Sequence, residues 1–447
     1  MTEVSGFPYF EVQFNERGDI EIPAQVDALK NHIRQAKPAT ELIVLAHGWN
    51  NNMEEARRLY RGLLSLVRAE LTAARIAGTP ADFGVLAVLW PSKKFADPEI
   101  VSGPSAGLAG AISDAGLIEQ IKNLQEATAS PDAEVKLDMA RALVTDLEDS
   151  PKAQTSFADI IRSVLPTPQN EVTEEDTSPA FFALDGRDLM DRLAKPIPVD
   201  GAPREGSEPE AHTEGLDEQG RATGLGDFFT GIKSAARNLL NYSTYYLMKE
   251  RAGTVGDGVN ALLRQIRDVR ADLKIHLVGH SFGARLVTTA ARGSDVGTGL
   301  TVHSVVLLQA AFSHNAFAVN FDEEEEGRTG AFRRVVAEKL VRGPALITHT
   351  VNDKAVGLAY PIASSIAGDD AADLGDEHSR FGGLGRNGAQ HTPEAAPRSL
   401  LAVEASYDFE GGKIYNLQAD KVIADHGDIV HPEVAHAMVS AIAAARR

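Results

Sequence analysis

The chain has 447 residues, 43% of them hydrophobic, which is enough for a sizeable core and long for one domain unless that domain carries a large insertion. Lys and Arg number 44 against 63 Asp and Glu, a net charge of -19, which argues against a nucleic-acid-binding surface and against attraction to anionic membranes. The absence of cysteine excludes a disulfide framework, a thiol nucleophile and a thiolate metal site.

The opening MTEVSGFPYFEVQF has neither the basic nor the apolar region of a signal peptide. No run reaches the ~18 apolar residues of a membrane span. The expectation is a soluble cytoplasmic protein without integral membrane association. Tyr9 to Phe14 alternates as a strand, a turn follows at residues 15–19, and Ile20 to Ile22 is placed as the returning strand of an edge hairpin. Val26 to Lys37 is a helix stopped before Pro38. Glu41 to Ala46 is a continuous apolar run, the pattern of a parallel strand buried on both faces. It ends in His47-Gly48-Trp49-Asn50. Met53 to Ala77 is an amphipathic helix, and Phe83 to Leu89 a second apolar strand closed by Trp90-Pro91-Ser92.

From there the α/β alternation stops until about residue 252, so three parts are expected: a core segment 1–91, an insertion 92–250 and a second core segment 251–447. Within the insertion, helical periodicity covers Ile112 to Glu126, Asp132 to Leu147, Phe157 to Leu165 and Asp227 to Glu250. Residues 171–220 are acidic and rich in Pro and Gly, the composition of a partly disordered, solvated segment, within which Phe181 to Leu184 is a docking candidate. The insertion leaves the core at a strand end, where excursions lie over a ligand crevice, so it is expected to act as a helical cap. Val255 to Val269 is a further helix. Val302 to Leu308, Ala345 to Thr350 and Lys413 to Leu417 are strands, Phe332 to Val341 and Pro432 to Ala444 helices, and residues 369–397 a polar Gly-rich loop.

The stretch that organises the chain is Lys274 to Arg285. Ile275, Leu277 and Val278 form a strand, Gly279-His280-Ser281-Phe282-Gly283 fits G-x-S-x-G, and a helix follows. In that context the glycines have a physical reason. The serine occupies a strained turn, and side chains two residues to either side would collide with the neighbouring strand and helix. Ser281 is the candidate nucleophile, with His280 packed beneath the turn. The amide of Phe282, at a helix N-terminus, is one candidate oxyanion donor, and the amide of Trp49 in the HG turn is the second. Gly48 lets that backbone approach, and His47 is placed as the residue that orders its loop.

A nucleophilic serine needs a base, and the base an orienting acid. Asp353, three residues past ALITHT, and His426, in the loop after the last strand, have the right type, chain order and setting. Asp353 can also be read as a turn cap, His431 is an alternative base although it adjoins Pro432 at a capping position, and Asp425 and Asp428 are alternative carboxylates. Gly383 to Gly388 matches GxGxxG without the strand and helix that dinucleotide binding needs. Asp369, Asp370, Asp373, Asp376, Glu377 and His378 are read as a solvated loop rather than a metal site. No cofactor or metal is called for.

HGWN, LWPS, GHSFG, the Asp353 turn and DHGDI resemble the α/β-hydrolase superfamily, most of all its bacterial lipase- and esterase-like serine hydrolases. The resemblance covers roughly residues 40–91 and 252–447 and is specific for fold and chemistry, not for substrate. It implies an α/β-hydrolase fold: a mostly parallel sheet with helices on both faces and, here, a large helical, partly disordered cap insertion. It implies Ser281, Asp353 and His426 as a triad cleaving a small-molecule or lipid-like ester. Amide, thioester or lipid acyl cleavage, acyl transfer, or a catalytically silent binding protein on the same fold are the alternatives.

Overall fold

The computed structural model describes residues 2–35, 39–49, 51–73, 76, 82–92, 112–128, 130–166, 178–195, 231–322, 327–367 and 381–446, with the side chains of 357–361 and 364 left out. Chain contacts divide it into two compact units, residues 1–94, 248–356 and 382–447 forming the first and 95–247 with 357–381 the second.

The first unit is built on a nine-stranded sheet in the order β1-β2-β4-β3-β5-β6-β7-β9-β8. Its strands are β1 (Thr2–Val4), β2 (Phe7–Gln13), β3 (Glu41–Ala46), β4 (Phe83–Leu89), β5 (Lys274–His280), β6 (Ser304–Leu308), β7 (Ala345–His349), β8 (Ala395–Ser399) and β9 (Ile414–Gln418). The pairing of β1 with β2 is antiparallel and all others are parallel. Strands β3 and β4 are buried at every position, as their unbroken apolar runs require.

Its helices are α1 (Pro23–Ile33) and α2 (Met53–Ala73); three helices and two short ones of the second unit follow as α3 (Asp114–Thr128), α4 (Pro131–Leu143), α5 (Pro151–Ser163), α6 (Ala180–Ala183) and α7 (Gly186–Leu193). Then come α8 (Ile232–Val269), α9 (Phe282–Arg292), α10 (Arg333–Ala337), α11 (Lys354–Ala367), α12 (Leu384–Asn387) and α13 (Pro432–Ala444). Alternate residues of each central strand face opposite sides. Ile43, Leu45, Val278, Val306 and Leu346 share a core cluster with α2 and α13. Leu42, Val44, Ile275 and Leu277, on the other side, are buried as well.

The sheet order positions the site. After β3 the chain crosses through α2 to β4 on one side; after β5 it crosses through α9 to β6 on the other. Adjacent strands whose connections diverge leave a crevice at their carboxyl ends. Those ends are His47-Gly48 after β3 and Ser281 after β5.

Several expected elements differ. The N-terminal hairpin is β1–β2, not a return at Ile20, which makes only an isolated bridge with Phe14. Ser5 (φ 51°) and Gly6 (φ 75°) form the two-residue, left-handed turn that suits a twisted hairpin, so β2 is interior rather than at the edge. The helices expected over Asp227 to Glu250 and Val255 to Val269 are one helix, α8, from Ile232 to Val269, with residues 227–230 outside the described residues. Gly256 does not break it, because a Cβ there would lie 2.6 Å from Leu286 O and from Thr289 Cβ, so the glycine serves close packing on α9. The helix expected over 332–341 is shortened to α10. The loop expected over 369–397 contains α12 and the start of edge strand β8, whose Pro397 and exposed residues protect an open edge.

In the second unit, Phe181 packs on Phe182 and Tyr242, and Phe182 on Tyr246, an aromatic cluster that carries α6 onto α8. Leu239, Tyr242 and Tyr245 are buried as core. Most of the acidic segment 171–220, Phe228, Phe229 and the acidic loop Asp369 to His378 lie outside the described residues. Among the described residues no helix is long and apolar enough to cross a membrane.

Candidate active site

Ser281 stands between β5 and α9 with φ 56° and ψ −124°, a conformation that L-residues rarely adopt. Such a residue costs roughly 1–3 kcal/mol and persists only where its surroundings fix it. Here they do: its N–H donates to Leu308 O (3.0 Å), and its carbonyl accepts from Ala284 N (3.0 Å) and Ala311 N (3.3 Å). The flanking glycines are obligatory. A Cβ at Gly279 would meet Gly283 O at 2.3 Å, and one at Gly283 would meet Ala46 O at 2.2 Å. The first contact closes the turn on itself, and the second brings α9 against the end of β3.

The loop after β3 runs past the same point. A Cβ at Gly48 would lie 2.6 Å from Ser281 Cβ. His47 is fully buried; burial pushes its pKa down to about 4, so the ring is neutral. Trp90 N–H donates to its Nε2 (3.3 Å), which leaves Nδ1 to donate to Gly48 O (3.0 Å). Its own carbonyl accepts from the Trp90 indole (2.9 Å), and the rings stack. His47 therefore orders the loop, as expected from its position. Asn52 and Glu55 fix the far end with a reciprocal capping box: Asn52 Oδ1 accepts from Glu55 N (2.8 Å) and Glu55 Oε2 from Asn52 N (2.7 Å). Trp49, in the loop after β3, lies with its ring 5.9 Å from that of Phe282, the first residue of α9 and the other candidate oxyanion residue.

His426 Nε2 is 2.8 Å from Ser281 Oγ, and its Nδ1 is 2.8 Å from Asp353 Oδ2. Asp353 is fully buried; Oδ1 accepts from Val356 N (3.0 Å) and Oδ2 also from Gln309 Nε2 (3.0 Å). Burial alone would raise the Asp353 pKa, but the neighbouring His426 charge and these hydrogen bonds outweigh it and hold the carboxyl below its usual range. Burial alone would lower the pKa of His426, but the Asp353 charge outweighs it and raises it. Each partner thus favours the charged form of the other. The arrangement can take a proton from the serine hydroxyl and keep the resulting imidazolium paired.

The loop carrying His426 is held on three sides. His280 Nε2 donates to His426 O (2.9 Å), and burial lowers the His280 pKa to about 3, leaving a neutral ring as donor. Asp425 Oδ1 accepts from Gly427 N (2.8 Å). Asn352, beside Asp353, donates to Asp420 O (3.0 Å) and Ile423 O (2.9 Å), tying the acid's turn to the base's loop.

The alternatives lie elsewhere. His431 sits at the N-cap position of α13 but its side chain does not cap; its Nε2 is 2.8 Å from Asp428 Oδ1. Neither Asp425 nor Asp428 contacts a ring nitrogen of His426. The GxGxxG stretch carries the four-residue helix α12, and its Gly385 lies against Asp353. Sequence reasoning missed this contact and missed Gln309. The signal available for the second was a polar residue directly after the apolar VVLL of β6. Among the described residues no group of three or more His, Asp or Glu is arranged to hold a metal ion.

Comparison with protein-family models, with curated proteins and with solved structures finds no match to this chain. The class the fold defines is therefore an α/β protein with a mostly parallel nine-stranded sheet and a helical insertion.

Proposed function

We propose that the chain is a serine hydrolase of the α/β-hydrolase type, cleaving carboxylic esters through an acyl-Ser281 intermediate. The observation that carries this reading is the hydrogen-bonded row Ser281–His426–Asp353 at 2.8 Å and 2.8 Å, with the serine in a strained strand-to-helix turn at the sheet's divergence point. In this mechanism Ser281 Oγ attacks the ester carbonyl carbon while His426 Nε2 takes its proton. The oxyanion is met by the amides of Trp49 and Phe282, each such donor being worth roughly 10²–10³ in kcat. As the carbon–oxygen bond breaks, His426 returns the proton to the departing alkoxide, which leaves as an alcohol. Water then loses a proton to His426, attacks the acyl carbon and releases the acid, and the proton goes back to Ser281. Asp353 stays ionised throughout and holds His426 in the tautomer that presents Nε2 to the serine. No cofactor enters these steps.

The reading is tested with a fluorophosphonate probe and p-nitrophenyl esters of graded acyl length. The wild-type protein is expected to be labelled at Ser281 and to release p-nitrophenol. Ser281→Ala, with its circular dichroism unchanged, is expected to do neither. Labelling that survives in Ser281→Ala assigns the nucleophile to another residue.

A further inference from the structure

Gln309 follows β6 directly and carries two local costs at once. Its φ is +43°, a left-handed conformation unusual for a side chain of this size. It is also fully buried, and among the described residues its Oε1 has no hydrogen-bond partner. A buried amide oxygen left unpaired is unfavourable, and so is a left-handed non-glycine backbone.

The other half of the amide accounts for both. Gln309 Nε2 lies 3.0 Å from Asp353 Oδ2 and 2.9 Å from Gly385 O. Both neighbours are acceptors, so the NH2 end must face them; the flipped amide would set oxygen against two oxygens. The residue is fastened from its backbone, where Gln309 N donates to Thr348 Oγ1 at the end of β7 (3.0 Å). The Gly385 carbonyl also accepts from Thr350 N (2.9 Å), and Gly385 N donates to Ala310 O (2.9 Å). A Cβ at Gly385 would lie 2.7 Å from Gln309 C and 3.0 Å from Asp353 Oδ2. The 382–388 segment thus closes over the carboxylate and holds the amide against it.

We infer that Gln309 is a positioning residue for the Asp353–His426 pair. It donates to the same carboxylate oxygen that receives His426 Nδ1–H, fixes the carboxylate's rotation, and sets how much negative charge that oxygen offers the imidazole. The inference deepens the proposed function, on which its kinetic consequences rest. The sign follows from the hydrogen bond. With the amide present, part of the charge on Oδ2 is satisfied by Nε2–H. Without it, Oδ2 attracts the protonated imidazole more strongly, so His426 holds its proton to higher pH. The acid limb of the reaction then moves to higher pH, and the rate at neutral pH falls as the carboxylate loses its fixed rotation.

Two variants separate positioning from folding. Gln309→Met keeps length and removes the donor. Gln309→Gly removes the donor and relieves the left-handed backbone, which offsets part of the cost of the cavity that its buried side chain leaves. The measurements are the fluorophosphonate labelling rate against pH and the titration of His426 followed by NMR of 13C,15N-histidine-labelled protein, assigned with His426→Gln. In both variants the expected result is labelling slowed by roughly 10- to 100-fold at neutral pH, by analogy with outer-shell partners of other sites, with the acid limb and the His426 midpoint moved together to higher pH. A His426 midpoint that stays where it is in both folded variants overturns the inference, whatever the rates do. A wild-type protein that is not labelled at Ser281 overturns the proposed function instead, and the NMR midpoint still decides the role of Gln309.

Discussion

Two serine–histidine–carboxylate rows lie in the same sheet. One is Ser281–His426–Asp353, beyond the carboxyl ends of the strands. The other is Ser304–His276–Glu41, at the opposite end of β6, β5 and β3, where His276 Nδ1 is 2.8 Å from Ser304 Oγ and Nε2 is 3.3 Å from Glu41 Oε2. The residue types match, yet the histidine pKa values move in opposite directions. Burial is the largest influence on both and pushes both down. At His426 the Asp353 charge overcomes it. At His276 the hydrogen bond and charge of Glu41 do not overcome it, and Arg446 and Lys274 push the same way as burial. Glu41 is shared with Arg446, whose Nε and Nη2 lie 2.7 Å and 2.6 Å from Oε1. Among the described residues Asp353, by contrast, has as its other partners a glutamine amide and a backbone N–H. Ser304 begins a regular buried strand, whereas Ser281 stands in a strained turn at the start of a helix. On the proposed function the same residue types serve different ends: the row with a carboxylate shared by an arginine lies inside the sheet, and the row whose serine stands in a strained turn is the candidate for proton transfer.

The sharpest way to break this contrast is to remove each histidine. His426→Ala is expected to lower kcat by roughly 10³ or more, the loss seen when one member of a cooperating triad is deleted. His276→Ala is expected to lower the melting temperature through a cavity and a disturbed Glu41–Arg446 pair, while ester hydrolysis per folded molecule stays within a few-fold. Equal losses of activity in the two variants would erase the distinction between the rows.

What could be read from the sequence divides along the same physical lines. The interior parallel strands were legible within a residue or two, since strands buried on both faces are unbroken apolar runs. Strand β8 was not, because an edge strand carrying Pro397, Arg398 and Ser399 has no apolar pattern. The join inside α8 was hidden by glycines that serve packing rather than termination. Ser281, Asp353 and His426 were legible because chain order and strand ends constrain them, and the geometry brings all three together. Gln309 and Gly385 were not. Their role depends on contacts between segments distant in sequence, and a glutamine with positive φ leaves no mark in the chain. His276 and Glu41 also passed unnoticed, since two polar residues within apolar strands show no partner until the strands are paired.

A smaller effect concerns acid stability. Burial pushes His47 and His303 down to about 4 and His280 to about 3, and it lowers His276 as well. Unfolded, each titrates near ~6.5. For a histidine whose folded pKa is depressed, the unfolded chain binds more protons below ~6.5, so stability is lost as pH falls through that value towards the folded one. His426, with its raised pKa, has the opposite sign: its contribution is present below ~6.5 and lost as pH rises through the folded value. Burial lowers His32 too, and five depressed groups outweigh one raised group, so the melting temperature is expected to fall steadily between about pH 6.5 and pH 4. His303 accepts Ile275 N–H at Nδ1 (3.2 Å), a bond that protonation breaks. His303→Gln is expected to make the slope of melting temperature against pH shallower. An unchanged slope would remove His303 from the acid response.

The smallest expected effect is that of His431→Ala, which tests the nearest rival for the base. His431 follows the same strand, β9, as His426 and lies five residues beyond it, so sequence position alone separates them weakly. The structure gives its ring a different partner: Nε2 meets Asp428 Oδ1 at 2.8 Å, in a pair whose side chains are 28% and 35% exposed. A pair that open to water contributes roughly 0–1 kcal/mol. Nor does the ring cap α13, at whose N-cap position it stands. Asp428 has a second task, since its Oδ2 accepts from Ala424 N (3.0 Å) inside the loop that carries His426. His431→Ala should therefore leave kcat/KM within a few-fold and the melting temperature within a few degrees, while Asp428→Ala should disturb both more. The check is kcat/KM for a short p-nitrophenyl ester beside a thermal melt of each variant. A loss of orders of magnitude in His431→Ala, with His426→Ala remaining active, would move the base from one histidine to the other.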